Sequence, residues 1–381
     1  MAKNSNLGQA KAAKNDEFYT QYADIQKEVN AYIEYNPDVF RGKTILLPCD
    51  DPEWSNFTKF FAQNFEFFGL KKLISTSYAI ESKKYKTDWQ PTLFETENPL
   101  YNVDKSRIKG KIFTLDHDTN NSGRIDIDDL QWNYLEGDGD FRSAEVTALR
   151  DEADIIITNP PFSLFREFLA WIIEGRKQFA IIGNMNAITC KEVFPLIVKN
   201  KMWLGTTDVR WFYQYSTNSP LYEAAHSRWF TNIDHGRRHT PLQLMSMADN
   251  LKFNKKLKGK TEYQKYDNYD AIEVPFTEVI PEDYNGAMGV PISYLDKHCT
   301  EQFEILGLTQ IGCHEAIPDI KKYNDYREIE RATGRPTGSS GGKTNENAVL
   351  QGIGEKKTYY LGPNGEKVYS EYKRILIRKK Q

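Results

Sequence analysis

The chain has 381 residues, of which 39% are hydrophobic and 27% charged, a composition typical of a soluble globular protein with one large domain or two ordinary ones. The formal net charge of -3 argues against a uniformly basic nucleic-acid binder, and no run approaches the ~20 apolar residues that span a bilayer. The N-terminus lacks the apolar core of a signal peptide and no Cys-x-x-Cys pair occurs, which indicates a cytoplasmic protein with reduced thiols at Cys49, Cys190, Cys299 and Cys313.

The first part of the chain is predicted to alternate strands with helices after a disordered start. Residues 1–14 are small, polar and basic, which is typical of disorder. An amphipathic helix pattern runs from Tyr22 to Tyr35, and Ser55 is a predicted N-cap for a helix from Asn56 to Phe65. Short apolar runs predict three strands, at Thr44–Leu47, Lys72–Ser77 and Ile112–Leu115.

The sharpest predicted strand is Asp154–Thr158, which leads through a proline-containing turn into a helix from Leu164 to Ile173. A second apolar strand, Phe179–Gly183, precedes a helix near Lys191–Lys199. Apolar strands that alternate with amphipathic helices are typical of an α/β fold with a parallel sheet covered on both faces. Two aromatic-rich segments are predicted to form an antiparallel hairpin that finishes the sheet, Met202–Tyr215 and Ser227–Ile233.

Beyond Pro241 the alternation fades, and from Lys321 onward the chain is basic. From Lys321 to the end there are 14 Lys+Arg and 7 Asp+Glu, whereas the first 320 residues carry 36 and 46 (50 − 14 and 53 − 7). An acidic body with a basic end fits a catalytic domain joined to a surface that meets phosphates, although a solvated tail would have the same composition.

We therefore predict a catalytic domain over residues 15–250 and a second region over 251–381, with the boundary near 245–260. In that second region, Lys252–Lys260 is a predicted basic junction of loop-like composition. Gly334–Lys343 is predicted to be a flexible Gly/Ser-rich segment, and Tyr372–Arg378 a strand with basic flanks.

The turn Asn159-Pro160-Pro161-Phe162 has the chemistry to act on a planar amino group such as N6 of adenine. The lone pair of that nitrogen is delocalised into the ring, so acceptors for the amino protons would draw the nitrogen toward a tetrahedral, nucleophilic state. The Asn159 side chain and the Pro160 carbonyl can be those acceptors. Pro161 helps fix the backbone, and Phe162 offers a flat face to the base. A turn at the carboxyl end of a buried strand is where α/β sheets bind ligands.

Two acidic segments are candidates for cofactor contacts. Asp50 and Asp51 follow the first strand, where an acid can bind a cationic amino group while the next helix N-terminus takes a carboxylate. Asp140 and Phe141, in Gly137–Ser143, can bind an adenine amino group and stack on its ring. A capped turn and a Gly/Asp turn would explain these two segments without a ligand.

The order of these motifs resembles the EcoRI-type adenine-specific DNA methyltransferase family. The segments that carry the resemblance span nearly the whole chain: NDEFYTQ (15–21), CDDP (49–52) with SNF (55–57), GDGDFRS (137–143), DIIITNPPFSLFREF (154–168), MGVPI (288–292), FEILG (303–307) and RILIR (374–378). The resemblance implies a Rossmann-like S-adenosylmethionine-dependent catalytic sheet with a C-terminal DNA target-recognition region. It also implies that Phe18, Tyr19 and Thr20 hold the methionine end of S-adenosylmethionine. Asp50 is implied to contact the same cofactor, and Asp140 with Phe141 to bind its adenine.

On this interpretation the substrate is double-stranded DNA, and the target adenine leaves the duplex to reach the sheet edge. Phe212 is the candidate for a second stacking aromatic opposite Phe162, although a core aromatic fits that position equally well. We expect phosphate contacts from five basic residues, Lys255, Lys256, Lys258, Arg374 and Arg378. A cognate restriction endonuclease would be a functional partner without direct contact, and the family implies monomeric action.

Three other functions remain open from the sequence. The same methyl transfer could act on an amino group of RNA or on a protein glutamine amide. A catalytically inactive DNA-binding protein would also explain the basic C-terminal region. Asp118–Asp129 matches a calcium loop at seven positions, but Asp129 replaces the usual bidentate Glu. We interpret it as a solvated acidic loop and expect no metal site.

Overall fold

The computed structural model describes residues 19–49, 55–79, 96, 98–213, 222–309, 320–345 and 347–380. The chain divides into two compact units. Unit 1 comprises Met1–Ala187 and Met202–Gly236, and unit 2 comprises Ile188–Lys201 and Arg237–Gln381. The division after Gly236 precedes the predicted boundary at 245–260, and a short segment before the hairpin of unit 1 belongs to unit 2.

Eight α-helices lie in the described ranges: α1 Tyr22–Tyr35, α2 Asn56–Gln63, α3 Phe65–Phe68, α4 Val103–Ile108, α5 Ala144–Glu152, α6 Phe165–Glu174, α7 Phe194–Val198 and α8 Met247–Phe253. Short 3-10 turns occupy Ile127–Asp129, Phe162–Leu164, Met185–Thr189, Gly236–His239, Lys255–Leu257, Thr277–Val279, Ile292–Lys297 and Gly341–Thr344.

Unit 1 contains a nine-stranded mixed sheet, which makes it a mixed α/β structure. Its strands are β1 Tyr19–Thr20, β2 Thr44–Leu47, β3 Lys72–Thr76, β4 Lys111–Leu115, β5 Gln131–Tyr134, β6 Ile155–Thr158, β7 Gln178–Asn184, β8 Trp203–Tyr213 and β9 Tyr222–Thr231. Their order across the sheet is β1-β8-β9-β7-β6-β2-β3-β4-β5. The four central strands, β7, β6, β2 and β3, are parallel, whereas both flanks are antiparallel.

Two of the central strands, β2 and β6, are mostly apolar and buried on both faces, as expected for parallel strands. β2 and β6 are tied together at their start by a reciprocal contact. The Thr44 amide donates to Asp154 Oδ2 (2.8 Å), and the Asp154 amide donates to the Thr44 carbonyl (2.9 Å). The acid just ahead of β6 therefore fixes the register of the two strands.

Several predicted elements of unit 1 are confirmed. The helix Tyr22–Tyr35 and the strand Thr44–Leu47 have the predicted bounds, and Ser55 caps α2 by accepting the Phe57 amide (3.0 Å). The antiparallel hairpin of β8 and β9 also forms as expected, although β1 pairs with β8 outside it at the sheet edge. The sequence pattern missed β5, a four-residue strand that pairs with β4 at the sheet edge, because it has no apolar run.

Unit 2 contains two smaller sheets. The first has the order β10-β11-β18-β12, with β10 Ala271–Glu273, β11 Ala287–Pro291, β12 Phe303–Leu308 and β18 Arg374–Lys379. The second has the order β14-β13-β16-β17-β15, with β13 Arg327–Glu330, β14 Pro336–Ser340, β15 Val349–Gln351, β16 Thr358–Leu361 and β17 Lys367–Ser370.

The prediction that residues 334–343 form a flexible segment is wrong as regards their structure. Most of the segment forms β14 and the 3-10 turn that follows it, and β14 pairs with β13 along the sheet edge. Glycine and serine content indicated a linker, but tertiary pairing overrides that weak local preference. The predicted basic junction at 252–260 likewise contains the end of α8 and a 3-10 turn.

The acidic loop at 118–129 is held together by hydrogen bonds from its backbone amides to the Asp129 carboxylate. Asp129 Oδ1 accepts the amides of Thr119 (2.8 Å) and Asn120 (3.2 Å), and Asp129 Oδ2 accepts that of Asp126 (3.0 Å). These hydrogen bonds hold the pKa of Asp129 below its ordinary value. The carboxylates of this loop therefore stabilise its turns.

Candidate active site

The turn that ends β6 lies where the sheet topology reverses. From β2 the chain proceeds to β3, β4 and β5 on one side, and then returns to place β6 and β7 on the other side of β2. β2 and β6 run parallel, with Ile45 opposite Ile155 and Leu46 opposite Ile156, so their carboxyl ends lie side by side. In open α/β sheets such a switch point is the position of the ligand crevice.

The Asn159-Pro160-Pro161-Phe162 turn leads directly into α6. Pro161 has an extended conformation (φ -53°, ψ 126°), and its carbonyl accepts the Leu164 amide (2.9 Å), which starts the 3-10 turn. Asn159 and Phe162 are half-buried, whereas Pro160 is buried. The proline pair thus holds the turn in one conformation between a buried strand and a helix that is buried on one face.

The Phe162 ring packs against Phe212 of β8. Their ring centroids are 6.2 Å apart in an edge-on arrangement, and Phe212 is fully buried in the unit 1 core. Phe212 therefore fills the core behind Phe162, which corresponds to the core alternative left open by the sequence. Opposite Phe212 in the antiparallel register lies Thr20 of β1. The structure thus gathers the N-terminal motif, the proline turn and the hairpin at one place.

Thr20 is held against the start of α2. Its carbonyl accepts a hydrogen bond from Asn56 Nδ2 (2.7 Å), and Tyr19 pairs with Tyr213 of β8. Within the described ranges, the buried Thr20 Oγ1 has no hydrogen-bond partner. A buried hydroxyl in this position fits a polar ligand group. Phe18, Asp50 and Asp51, which the sequence analysis also predicted to contact the cofactor, lie outside the described residues.

The loop with Asp140 and Phe141 packs beside the end of β3. Gly139 has a positive φ of 83°, and a Cβ there would overlap the Ser77 carbonyl, so only glycine allows this close approach. Phe141 is buried against two α6 aromatics, with ring centroids 5.1 Å from Phe168 and 5.6 Å from Trp171. The loop is therefore anchored to the helix that follows the proline turn.

Asp140 is a partly buried carboxylate held by one arginine. Asp140 Oδ2 accepts from Arg142 Nη2 (2.6 Å), and Oδ1 accepts from the Arg142 backbone amide (2.8 Å). The Arg142 hydrogen bonds lower the pKa of Asp140, so the group is ionised at neutral pH and can accept from an amino group.

Two residues that shape this region were missed by the sequence analysis. Glu28 of α1 is fully buried and accepts hydrogen bonds from Thr206 and Thr207 at a bulge of β8, five to six residues before Phe212. Gly183 of β7 leaves room for the Phe165 ring at the start of α6. An acid on an apolar helix stripe and a glycine inside an apolar strand were the available signals.

The predicted phosphate contacts are all in unit 2 and differ in exposure. Lys255, Lys256 and Lys258 are exposed, and Lys256 Nζ donates to Glu278 Oε2 (2.9 Å). Arg378 is exposed and donates to Glu304 (2.6 Å).

Arg374 does not have the exposure that a phosphate contact needs. It is 8% exposed and donates from Nη2 to Glu273 Oε1 (2.7 Å) and from Nε to both Glu273 oxygens (3.2 Å each). Its assignment as a phosphate contact is therefore withdrawn, because the guanidinium is already committed to a buried carboxylate.

Comparison with known families identifies the protein. The family model described as "Adenine-specific methyltransferase EcoRI" matches residues 6–380. The chain belongs to this family. The EcoRI methylase family resemblance inferred from the sequence motifs is thereby confirmed, and the protein is an adenine-specific methyltransferase.

Two similar proteins are named type II methyltransferases. The type II methyltransferase M.EcoRI of Escherichia coli is 40% identical over 321 residues, which cover 80% of this chain and 89% of that protein. The type II methyltransferase M.MpnI of Mycoplasma pneumoniae is 34% identical over 331 residues, covering 84% and 90%. No solved structure gives a significant match. In the part of the chain that the structure describes, no helix has the length and apolar character to cross a membrane.

Proposed function

We propose that this EcoRI-family protein is a site-specific DNA methyltransferase that modifies N6 of adenine, with the Asn159–Phe162 turn as its catalytic element. The observation that carries the proposal is the position of this turn at the carboxyl end of β6, beside β2, where the sheet topology reverses. The unit 1 sheet then serves as a Rossmann-like methyltransferase sheet, and unit 2 supplies the target-recognition region.

Asn159 and Pro160 activate the amino group. The Asn159 side-chain oxygen and the Pro160 carbonyl accept hydrogen bonds from the two amino protons, which localises the nitrogen lone pair. The Pro161 carbonyl takes no part, because it accepts the Leu164 amide within the 3-10 turn. The prolines hold these acceptors in place, so little reorganisation is needed at the moment of reaction.

S-adenosylmethionine, when bound, supplies an electrophilic methyl group. The residues that would hold it are Thr20, with its buried hydroxyl, and Asp140, with its ionised carboxylate. Phe18, Tyr19, Asp50 and Asp51 are assigned to the same site by their place in the family motifs, and Phe141 by its place next to Asp140.

The target adenine must leave the duplex to reach Asn159, at a cost of a few kcal/mol for unstacking and unpairing. Phe162 stacks on the extruded base, and the edge-on Phe212 ring keeps Phe162 in position. Phe212 is on this account a positioning residue.

Double-stranded DNA fits the rest of the chain as the substrate. The relatives are named type II methyltransferases, which places them with restriction-modification systems. A cognate restriction endonuclease acting on the same sequence without direct contact, monomeric action and a cytoplasmic location all belong to this proposal. Exposed cations at Lys255, Lys256, Lys258 and Arg378 would meet phosphates.

The experiment is adenine-methylation mapping of DNA from cells that express the wild-type chain, Asn159→Ala or Asn30→Ala. Asn30 is exposed on α1 and serves as the matched control. We expect a defined methylated sequence for wild type and Asn30→Ala, and at least about a 100-fold loss of methylation for Asn159→Ala. Cofactor binding to Asn159→Ala, measured by calorimetry, should persist.

Retained methylation by Asn159→Ala would contradict the catalytic role of this residue. Absence of adenine methylation by the wild-type chain would overturn the DNA substrate. RNA and protein glutamine would then be the substrates to assay with labelled cofactor.

A further inference from the structure

We propose that the β13–β14 hairpin of unit 2 enters the major groove of the DNA substrate, with Arg331 and Arg335 reading guanine edges. The hairpin covers residues 327–340 and forms the edge of the five-stranded sheet. The inference rests on the proposed DNA substrate and adds the element that recognises its sequence.

The hairpin presents three exposed arginines. Arg327 begins β13, while Arg331 and Arg335 flank the turn between the strands. Within the described part of the chain none of the three guanidinium groups takes part in an ion pair or a hydrogen bond, and Arg335 bonds only through its backbone, its amide donating to Thr333 Oγ1 (3.3 Å). Exposed arginines without acidic partners leave their full donor sets for a ligand.

The two glutamates of β13 are occupied elsewhere. Glu328 accepts from Thr337 (2.7 Å), Thr358 (3.2 Å) and Lys343 (3.4 Å). Glu330 accepts from Thr333 in the turn (2.7 Å). The acids therefore bond within the sheet, and among the described residues they form no ion pair with the arginines of the hairpin.

Strand alternation places the cations on the face opposite the glutamates. Arg327 and Arg331 share one face of β13, and Glu328 and Glu330 the other. Arg327 lies opposite Leu361 of β16, and the Arg331 amide donates to the Lys357 carbonyl (2.8 Å). Lys367 lies opposite Leu361 on β17. The charged residues at the paired positions of β13, β16 and β17 on this face are all cations, Arg327, Arg331, Lys357 and Lys367, and the buried Ile329 with its partner Tyr359 lies between them.

The turn is held in a defined shape. The Glu330 amide donates to the Arg335 carbonyl (2.9 Å), and the Gly334 amide donates to the Glu330 carbonyl (2.8 Å). Gly334 has a φ of 68°, which glycine adopts without strain. A preorganised turn fixes the separation of the two arginines before they meet a ligand, so less entropy is lost on binding.

The edge strand is suited to a close approach to DNA. β14 consists of Pro336, Thr337, Gly338, Ser339 and Ser340, four of them exposed, and its small side chains leave the backbone accessible. The major groove of B-DNA, about 12 Å wide, admits a two-stranded ribbon, and bidentate Arg–guanine contacts are the commonest specific contacts there. Duplex RNA is a poorer fit, because its major groove is deep and narrow.

The test compares Arg331→Ala/Arg335→Ala, Arg331→Lys/Arg335→Lys and the control Arg124→Ala, an exposed arginine of unit 1. Wild type is first mapped for its methylated sequence in cells. Methylation rates are then measured on a duplex with that sequence and on duplexes with single base-pair changes. Thermal unfolding and cofactor binding confirm that each variant is folded.

We expect the alanine pair to lose about 10- to 100-fold in rate on the mapped sequence and to lose discrimination at its G·C pairs. The lysine pair should recover part of the rate but not the discrimination, because a lysine lacks the bidentate fork. Duplex RNA should not compete.

Three results would overturn the assignment. The first is an alanine pair that behaves like Arg124→Ala. The second is a lysine pair that recovers full discrimination, which would show that the two residues contact phosphates and not guanine edges. Effective competition by duplex RNA would contradict the major groove as the target. In each of these cases, methylation of DNA adenine by the wild-type chain would still support the proposed function. A wild-type chain that methylates no DNA adenine would overturn both the proposed function and the assignment of the hairpin.

Discussion

Gly183 of β7 lies directly against the ring of Phe165, the first residue of α6. A Cβ on Gly183 would lie 2.8 Å from Phe165 Cδ2 and Cζ and closer still to Cε2. The absence of a side chain on Gly183 therefore allows α6, the helix after the Asn159–Phe162 turn, to pack against the sheet.

Gly183→Ala should destabilise unit 1 by about 1–3 kcal/mol and lower the methylation rate, because the displaced ring moves the start of α6. Urea unfolding and a methylation assay measure the two effects. The double variant Gly183→Ala/Phe165→Leu should recover part of both. Unchanged stability in the single variant would contradict the close contact.

Thr20→Val should weaken S-adenosylmethionine binding by about 3- to 10-fold, the worth of one hydrogen bond, without loss of stability. The valine is isosteric and removes a buried hydroxyl that has no partner among the described residues. Calorimetry and thermal unfolding separate the two effects. The matched control is Thr58→Val, which removes a hydroxyl bonded to Ser75 Oγ (2.8 Å) and should lower stability instead. Normal cofactor affinity in Thr20→Val would contradict a hydrogen bond between the Thr20 hydroxyl and S-adenosylmethionine.

Glu28→Gln should destabilise the fold by at least about 2 kcal/mol. Glu28 accepts from the amides and hydroxyls of Thr206 and Thr207 and from the Tyr32 hydroxyl, and an amide nitrogen would face these donors without an acceptor. Urea unfolding measures the effect, with the exposed Glu34→Gln of the same helix as control. Equal stability of the two variants would show that this hydrogen-bond set contributes little.

The stability of unit 2 should fall as the pH drops from about 6.5 to 4. The pKa of His298 is lowered from 6.5 to about 4, chiefly by burial and also by the nearby charges of Arg238 and Lys380, while Glu301 opposes the shift. The unfolded chain binds the proton more readily in this window, so acid favours unfolding, by at most about 3 kcal/mol.

Unfolding free energies at pH 7, 6 and 5 measure this dependence, and His298→Gln should flatten it. Glu301 has a pKa lowered to about 2, chiefly by its hydrogen bonds to His239 and Cys299, which outweigh burial, so its contribution is lost only below about 4.5. An unchanged slope in His298→Gln would assign the pH dependence to other groups.

Arg374→Ala and Arg378→Ala should have opposite phenotypes although both lie on β18. Removing Arg374 leaves the buried Glu273 without its partner and should cost about 3–5 kcal/mol of stability. Removing the exposed Arg378 should leave stability within about 0.5 kcal/mol and reduce the salt dependence of DNA binding. DNA-binding isotherms at several salt concentrations measure the affinity of each variant, and unfolding curves measure its stability. Loss of DNA affinity in a stably folded Arg374→Ala would restore its predicted phosphate contact.

Local pattern was sufficient for the elements that a single segment determines. The apolar run of β6 with its Asn-Pro-Pro-Phe turn, the helix Tyr22–Tyr35 and the Ser55 cap depend on residues within a few positions of one another. Their motifs also established the family, because the order of short segments along the chain is itself sequence information.

Tertiary structure decided which distant residues meet. The sequence contained Thr20, Phe162 and Phe212 but not their proximity, which depends on β1 pairing with β8 at the far edge of the sheet. It showed Arg374 and Arg331 as equivalent charges, whereas packing buries the first against Glu273 and leaves the second exposed on a hairpin turn. Long-range pairing and burial depend on the whole chain, so no local window contains them.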